Sequence, residues 1–188
     1  MFPFIKPNIS GATIANEFFF RPLREGYDAG FPRFKELFPT ETQIPKECVN
    51  DEWLWLEVFT VDFSTYLALG MTEAKAAVLT PFWRELKIWL QGKEVAALPE
   101  RLAVIGGGPR SIPAEVRERG YDRLMRRMKD YSTAVVTPHS QGENYSVAGV
   151  FANACGFFDA VAIMGVSGFF SSRKIEYVKF LRSQRISS

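Results

Sequence analysis

The sequence predicts an all-α protein, or nearly so, in which five to six helices form a bundle around a central apolar helix. Three observations favour this class. Residues 51–91 have the pattern of two consecutive helices, residues 144–170 carry almost no charge, and the first 47 residues are rich in proline and phenylalanine. A chain of 188 residues is expected to form a single domain, residues 1–188, with a core large enough to fold without disulfides or metals.

Residues 1–47 are expected to form an irregular arm that wraps the helical body of residues 48–188. They contain six prolines and eight phenylalanines. Proline interrupts long helices and central strands, whereas phenylalanine buries a large area against a neighbouring surface. Only a short helix over 32–37 is predicted here. The alternative to an arm packed on its own body is exchange of the arm between two subunits.

Residues 50–92 predict a tight helical hairpin. Asn50 is a favourable N-cap, and the two acidic residues that follow it suit the positive end of a helix dipole. The first helix is expected to end at Gly70, which is suited to a helix C-terminus. Thr72 is expected to cap a second helix that ends at Gly92, and apolar residues recur along this helix at 3.6-residue spacing.

The second half of the chain predicts three further helices. Pro113 is well placed for the first turn of a helix that runs to about residue 130. Residues 145–164 are expected to form the central helix of the bundle. Small residues recur there every four positions and allow another helix to approach closely: Ala148, Ala152, Gly156 and Ala160. A last amphipathic helix is predicted over 174–183.

Residues 145–170 also raise the alternative of a membrane-associated protein, because about 20 apolar residues can span a bilayer. Against this alternative, Asp159 would lie near the middle of the bilayer, where a charge costs about 3 kcal/mol. Residues 165–168, Gly-Val-Ser-Gly, should also break such a helix. We therefore expect this stretch to be covered by other helices of the protein. The first residues lack the pattern of a secretory signal, and a cytoplasmic protein is expected.

The stretch AVIGGGPRS resembles the glycine turn of dinucleotide-binding units, in which glycines let the backbone approach a pyrophosphate. Gly106, Gly107 and Gly108 are therefore candidate ligand-binding residues. The third glycine of the motif is replaced by Ser111, and no carboxylate follows the second strand that such a unit needs. Because strands would be required at 102–105 and 132–136 in a chain that is otherwise helical, we favour a loop between helices.

Asp62 and His139 are the candidate catalytic residues. On a helical wheel, Asp62 falls on an aromatic face that includes Tyr66, a further candidate for ligand binding, whereas Glu57 projects from the opposite side. Burial would raise the pKa of Asp62, as a general acid or base at neutral pH requires. The alternative is a structural carboxylate paired with Tyr66 or an arginine. His139, the only histidine in the sequence, lies in a turn typical of exposed loops.

Charge and cysteine content indicate neither a nucleic-acid partner nor a metal or other cofactor. Residues 1–100 contain 10 basic and 14 acidic residues, and residues 101–188 contain 13 and 7. The predicted third helix carries a basic stripe, but acidic residues four positions away should neutralise part of it, so we expect a solvated helix face: Arg119, Arg123, Arg126 and Arg127. One histidine with Cys48 and Cys155, which are far apart in sequence, makes no usual zinc site.

The leading functional hypothesis is a binding or protein-interaction module with an apolar groove or cavity, which takes a protein partner or a small apolar ligand and associates with itself. It leads because no catalytic motif is evident, while aromatic residues make up 14% of the chain. One alternative is a small enzyme that uses Asp62, His139 or the glycine turn in a helical pocket. The other is a protein attached to a membrane through 145–170.

Overall fold

The computed structural model of the protein describes residues 8–37, 46–105 and 120–187, and nearly all of these residues are helical. The predicted all-α class is confirmed. In chain order the elements are β1 (Asn8–Ser10), α1 (Gly11–Thr13), a π-helical stretch (Ile14–Phe20), α2 (Arg21–Glu25), a 3₁₀ turn (Tyr27–Ala29), α3 (Gly30–Leu37), α4 (Lys46–Leu69), α5 (Glu73–Ile105), α6 (Tyr121–Val136), α7 (Glu143–Cys155), α8 (Ala160–Ser183) and β2 (Arg185–Ser187).

Helix α4 lies at the centre of the bundle. Every residue from Glu52 to Val61 is buried, and α3, α5, α6, α7 and α8 all pack against α4. A helix that is apolar around most of its circumference is stable only when other elements cover it on all sides. The central apolar helix therefore exists, but it is α4 and not residues 145–164.

The predicted helix over 145–164 is divided into two helices, α7 and α8. Helix α7 ends before Gly156, which adopts a left-handed conformation with φ of 77° that favours glycine. Asp159 then caps α8, since its carboxylate accepts a 2.8 Å hydrogen bond from the backbone N–H of Ala162. Residues 165–168 do not break α8, which continues to Ser183. Within the described ranges, no helix combines the length and the apolar character that crossing a bilayer requires.

The predicted hairpin of two helices is present as α4 and α5, with Gly70 at the turn. Its outer limits differ from those expected. Helix α4 begins at Lys46, so Asn50 is not an N-cap; its side-chain oxygen instead accepts a 2.7 Å hydrogen bond from the backbone N–H of Phe31. Helix α5 continues through Gly92 to Ile105, because a glycine within a helix costs only about 1 kcal/mol and does not end it.

The N-terminal segment packs on the body, but its described residues are mostly helical where an irregular arm is predicted. Pro22 and Pro32 are compatible with helix because they fall in the first turns of α2 and α3, where proline's missing N–H is not needed. Phe19 is buried and holds this segment in place. Its ring makes edge-on contacts with those of Phe82 in α5, at 6.3 Å, and Tyr177 in α8, at 5.2 Å.

A close backbone contact and a short strand pairing attach the same segment at its start. A Cβ atom built on Gly11 would lie 2.4 Å from the carbonyl oxygen of Ala77 in α5, so α1 can approach α5 this closely only with glycine at that position. Strand β1 pairs in parallel with β2, and Ile9 lies opposite Ile186. The segment is therefore held by α5, α8 and the strand that follows α8.

Candidate ligand-binding cavity

A cavity of about 70 Å³ lies where the N-terminal segment crosses α4 and α8. This volume is enough for several water molecules or for a ligand with few heavy atoms. The cavity is lined by residues from five elements and the turns beside them: Pro22, Leu23, Gly26, Tyr27, Arg33, Trp53, Leu54, Glu57, Arg173 and Tyr177. The lining combines charged and aromatic side chains, whereas the sequence predicts an apolar groove or cavity.

Glu57 contributes a carboxylate to the inner wall of this cavity, and its side chain is only 7% exposed. Three donors surround the carboxylate, but none of them reaches ordinary hydrogen-bond distance. Arg173 Nε and Arg33 Nη1 lie 3.6 and 3.9 Å from Oε1, and the hydroxyl oxygen of Tyr177 lies 3.5 Å from Oε2. Gaps of this length between polar groups are typical of sites in which a water molecule or a ligand bridges them.

The position of Glu57 in the core changes its protonation. Burial raises the pKa of the Glu57 carboxyl above its usual range, and the charges of Arg173 and Arg33 oppose this increase only in part. Burial, together with the negative charge of Glu57, also raises the pKa of Tyr177, which keeps its hydroxyl protonated. The inner wall therefore presents a carboxyl that takes up a proton readily, beside a hydroxyl that can donate.

Two nitrogen donors at the cavity make no hydrogen bond within the described structure. They are Nε1 of the buried Trp53 and Nε of Arg173. The remainder of the Arg173 guanidinium is well placed, since Nη1 donates to Glu176 at 2.8 Å and the group lies over the ring of Tyr177 at 5.4 Å. Buried donors in folded proteins generally have partners, so these two nitrogens favour an acceptor inside the cavity.

The positive charge of the cavity is more accessible to solvent than its negative charge. The side chain of Arg33 is 45% exposed and that of Arg173 is 29% exposed, while Glu57 is almost completely covered. An anion that approaches from solvent therefore meets the guanidinium groups first, which attract it.

Asp62 lies outside this cavity, between α4 and α5. It is half-buried, and its Oδ1 accepts a 3.3 Å hydrogen bond from Trp83 Nε1. Burial raises the pKa of Asp62, and the hydrogen bond from Trp83 opposes this increase. Tyr66 is exposed and lies with its ring centroid 5.4 Å from the ammonium group of Lys75. The donor to Asp62 is thus a tryptophan of α5, where the sequence suggests Tyr66 or an arginine, and this pairing favours a structural carboxylate.

His139 lies in the exposed loop between α6 and α7, at a broad groove of about 630 Å³. Its backbone N–H donates a 2.8 Å hydrogen bond to Ser146 Oγ. Asp62 is absent from the lining of this groove, and neither Asp62 nor His139 lines the cavity beside Glu57. The structure therefore does not bring the two candidate catalytic residues together, and a catalytic role for either one stays a prediction.

The glycine turn cannot be placed, since Gly106, Gly107 and Gly108 lie outside the described residues, as do Pro113 and Arg119. The elements that a dinucleotide-binding unit would need beside the turn are described, and they are not strands. Residues 102–105 belong to α5, and residues 132–136 belong to α6. In the ranges that the structure covers, no group of three or more His, Cys, Asp or Glu side chains could hold a metal ion.

Sequence reasoning missed the two buried carboxylates of α4, Glu57 and Glu52. Glu52 is fully buried, and its Oε1 accepts hydrogen bonds from Nε and Nη2 of Arg127 at 3.1 and 2.8 Å. Arg123 lies 4.6 Å over the ring of Trp55 in α4. These two arginines of α6 therefore face α4 and do not belong to a solvated stripe. A signal was available, because a carboxylate inside a continuous apolar helix is buried whichever face it occupies.

Comparison with known proteins adds no functional information. No family model matches the chain, and neither a curated protein nor a solved structure resembles it significantly.

Proposed function

We propose that the protein is a helical binding module whose cavity takes a small organic acid, with the carboxylate of the ligand held between Arg33, Arg173 and Glu57. The observation that carries this proposal is the ring of donors around Glu57, at 3.5 to 3.9 Å. These donors are too distant for good direct hydrogen bonds, but they can converge on a group placed between them. The unpartnered nitrogens of Trp53 and Arg173 supply two further donors for the same group.

Proton uptake makes a second carboxylate compatible with Glu57. Two carboxylates in contact in a buried site cannot both be ionised, so they share one proton. Glu57 is suited to hold that proton, since burial raises its pKa. The ligand then stays anionic between the guanidinium groups, which form charge-assisted hydrogen bonds with carboxylates. The cavity volume limits the acid to about two to four carbon atoms.

Short-chain carboxylates such as propionate are expected to bind the protein, and binding is expected to strengthen as the pH falls from 8 to 6. If one proton is taken up with each ligand, the affinity increases about tenfold per pH unit. Isothermal titration calorimetry in buffers of different ionisation enthalpy would measure both the affinity and the proton uptake.

Three variants make this test specific to the cavity. Arg173→Met should abolish binding, whereas Glu57→Gln should keep binding but lose its pH dependence, because an amide can donate to the ligand without taking up a proton. Arg84→Met changes an exposed arginine on α5 that pairs with Glu85, and it should bind like the wild type. Failure of every short-chain carboxylate to bind the folded protein would overturn the proposal, as would unchanged binding by Arg173→Met.

A second candidate function is self-association through the outer face of α8. Phe158, Val161 and Met164 are 78, 70 and 65% exposed, and exposed apolar side chains that lie together are typical of interaction surfaces. Residues 160–172 include no charged residue. In a symmetric dimer the same patch occurs on both sides of the interface, and an uncharged face meets its own copy without repulsion between like charges.

Met164→Glu is expected to weaken such a dimer by at least about tenfold, because the substitution places a charge on each side of the symmetric interface. The folded monomer should tolerate it, since Met164 is exposed. Analytical ultracentrifugation would compare its dissociation constant with that of Ile88→Glu, which changes an exposed apolar residue on α5. A wild-type protein that is monomeric at high micromolar concentration would exclude this candidate.

A further inference from the structure

The two cysteines of the chain, distant in sequence, meet in the fold. Cys48 lies in the first turn of α4, and Cys155 is the last residue of α7. The Sγ atom of Cys48 lies 3.7 Å from the carbonyl oxygen of Ala154, and its side chain is hydrogen-bonded to that of Cys155. Both cysteines are free thiols. The chain contains two cysteines in all, so the fold brings its whole complement of thiols to one place.

The surroundings of the pair distinguish its two thiols. The hydrogen bond from Cys155 lowers the pKa of Cys48 to about 6, and the positive charge of Arg123 contributes to this decrease against the effect of burial. The first turn of a helix also stabilises a thiolate. The same hydrogen bond, together with burial, raises the pKa of Cys155 well above its usual range. Cys48 is therefore the thiolate of the pair, while Cys155 keeps its proton.

Access to solvent follows the same division. Cys48 is partly exposed, whereas Cys155 is buried. A partly exposed thiolate in positive surroundings, with a second thiol beside it, is typical of cysteines that react with oxidants. Neither cysteine lines the cavity beside Glu57, so the pair is separate from the proposed acid-binding site.

We propose that Cys48 and Cys155 form a dithiol site that reduces small hydroperoxides, with Cys48 as the nucleophile and Cys155 as the resolving thiol. The Cys48 thiolate attacks an oxygen of the hydroperoxide. A sulfur–oxygen bond forms as the oxygen–oxygen bond breaks, and the alkoxide that leaves takes a proton from water to become an alcohol. Cys48 is then a sulfenic acid, and the hydroperoxide has been reduced by two electrons.

The second step closes the disulfide. The sulfur of Cys155 attacks the sulfur of Cys48, so a sulfur–sulfur bond forms and the sulfur–oxygen bond breaks. Hydroxide leaves with the proton of Cys155 as water. One hydroperoxide and two thiols thus yield one disulfide, one alcohol and one water. A small dithiol such as dithiothreitol restores the reduced pair by thiol–disulfide exchange.

One equivalent of hydrogen peroxide is expected to convert the reduced protein to an internal disulfide. Mass spectrometry should show the loss of two hydrogens, and peptide mapping without reductant should join the peptides of Cys48 and Cys155. The rate should rise with pH to a plateau above about pH 7, because the pKa of Cys48 is about 6. The same protein unfolded in urea should lose this advantage and react like an ordinary thiol.

Two variants separate the roles of the thiols. Cys155→Ser should stop at a sulfenic acid on Cys48 that dimedone traps, whereas Cys48→Ser should react at least about tenfold more slowly, since its remaining thiol is buried and protonated. Circular dichroism would confirm that both variants fold. The pH dependence of iodoacetamide alkylation at Cys48 in the wild type gives a readout that needs no variant. The proposal is overturned if the folded wild type reacts no faster than the unfolded chain, or if oxidation leaves the two cysteines unlinked.

Discussion

Arg127→Met is expected to destabilise the protein by about 3 kcal/mol at pH 8, because it leaves a buried carboxylate without its counter-ion. Glu52 is fully buried, and its Oε1 accepts two hydrogen bonds from Arg127. Its other oxygen, Oε2, has no hydrogen-bond partner within the described structure. Removal of the guanidinium therefore leaves neither oxygen with a strong donor, and the free energy of unfolding decreases by much more than for an exposed ion pair.

This loss should depend on pH in a defined direction. Burial raises the pKa of Glu52 to about 7 from an ordinary value of 4.5, so the folded state binds this proton more tightly than the unfolded state. The stabilisation from the protonated carboxyl is fully present below about pH 4.5 and is lost as the pH rises through about 7. Arg127→Met raises the folded pKa further. Its destabilisation should therefore be largest at pH 8 and much smaller at pH 5.5.

Urea denaturation followed by circular dichroism, at pH 8 and at pH 5.5, would measure this effect. Adding Glu52→Gln to Arg127→Met should recover most of the loss at pH 8, because the double variant contains no buried charge. Lys129→Met, at an exposed position on α6, should change stability little at either pH. An equal loss at both pH values would show that Arg127 acts through packing and not through the charge of Glu52.

Gly11→Ala is expected to destabilise the protein by about 2 kcal/mol or more, which is typical of overpacking. The new Cβ atom would lie 2.4 Å from the carbonyl oxygen of Ala77 and 2.7 Å from its Cβ. These atoms belong to the middle of α5 and cannot rotate aside. Helix α1 must therefore move away from α5, and the packing of the neighbouring Ile14 and Phe19 is lost with it.

Hydrogen exchange would locate this effect, and urea denaturation would give its size. Protection should be lost mainly over residues 8–37. The matched control is Gly92→Ala in α5, where a Cβ atom meets nothing within 4 Å; it should raise stability by up to about 1 kcal/mol, as expected for glycine replaced within a helix. Wild-type stability in Gly11→Ala would mean that α1 packs less closely on α5 than the structure shows.

The sequence predicts the helical class and the α4–α5 hairpin because the signals for both are local. Glycine is a less reliable signal of helix ends, since Gly70 and Gly156 end helices while Gly92 does not. The difference at Gly156 is Asp159, an N-cap that begins the next helix a few residues on. In the sequence Asp159 counts against a membrane span, but its position also indicates a helix start between residues 145 and 164.

The sequence could not predict which carboxylate of α4 would be part of a candidate site. A helical wheel places Asp62 and Glu57 on opposite faces, but α4 is apolar on nearly all faces, so the wheel cannot tell which face is covered more completely. The answer depends on α8 and the N-terminal segment, which cover Glu57 with Arg173, Tyr177 and Arg33. The pairing of Cys48 with Cys155 depends in the same way on helices far apart in the chain, for which a single sequence contains no local signal.

The parallel pairing of β1 with β2 has a consequence for synthesis on the ribosome. Among the described residues, 8–10 emerge from the exit tunnel first, but their partners, residues 185–187, emerge last. The apolar side chains of the N-terminal segment, such as Phe19, must therefore wait for α5 and α8 before they are covered. Domains generally fold as units once their residues are available, so the nascent chain exposes sites for chaperones until the C-terminal strand has left the tunnel.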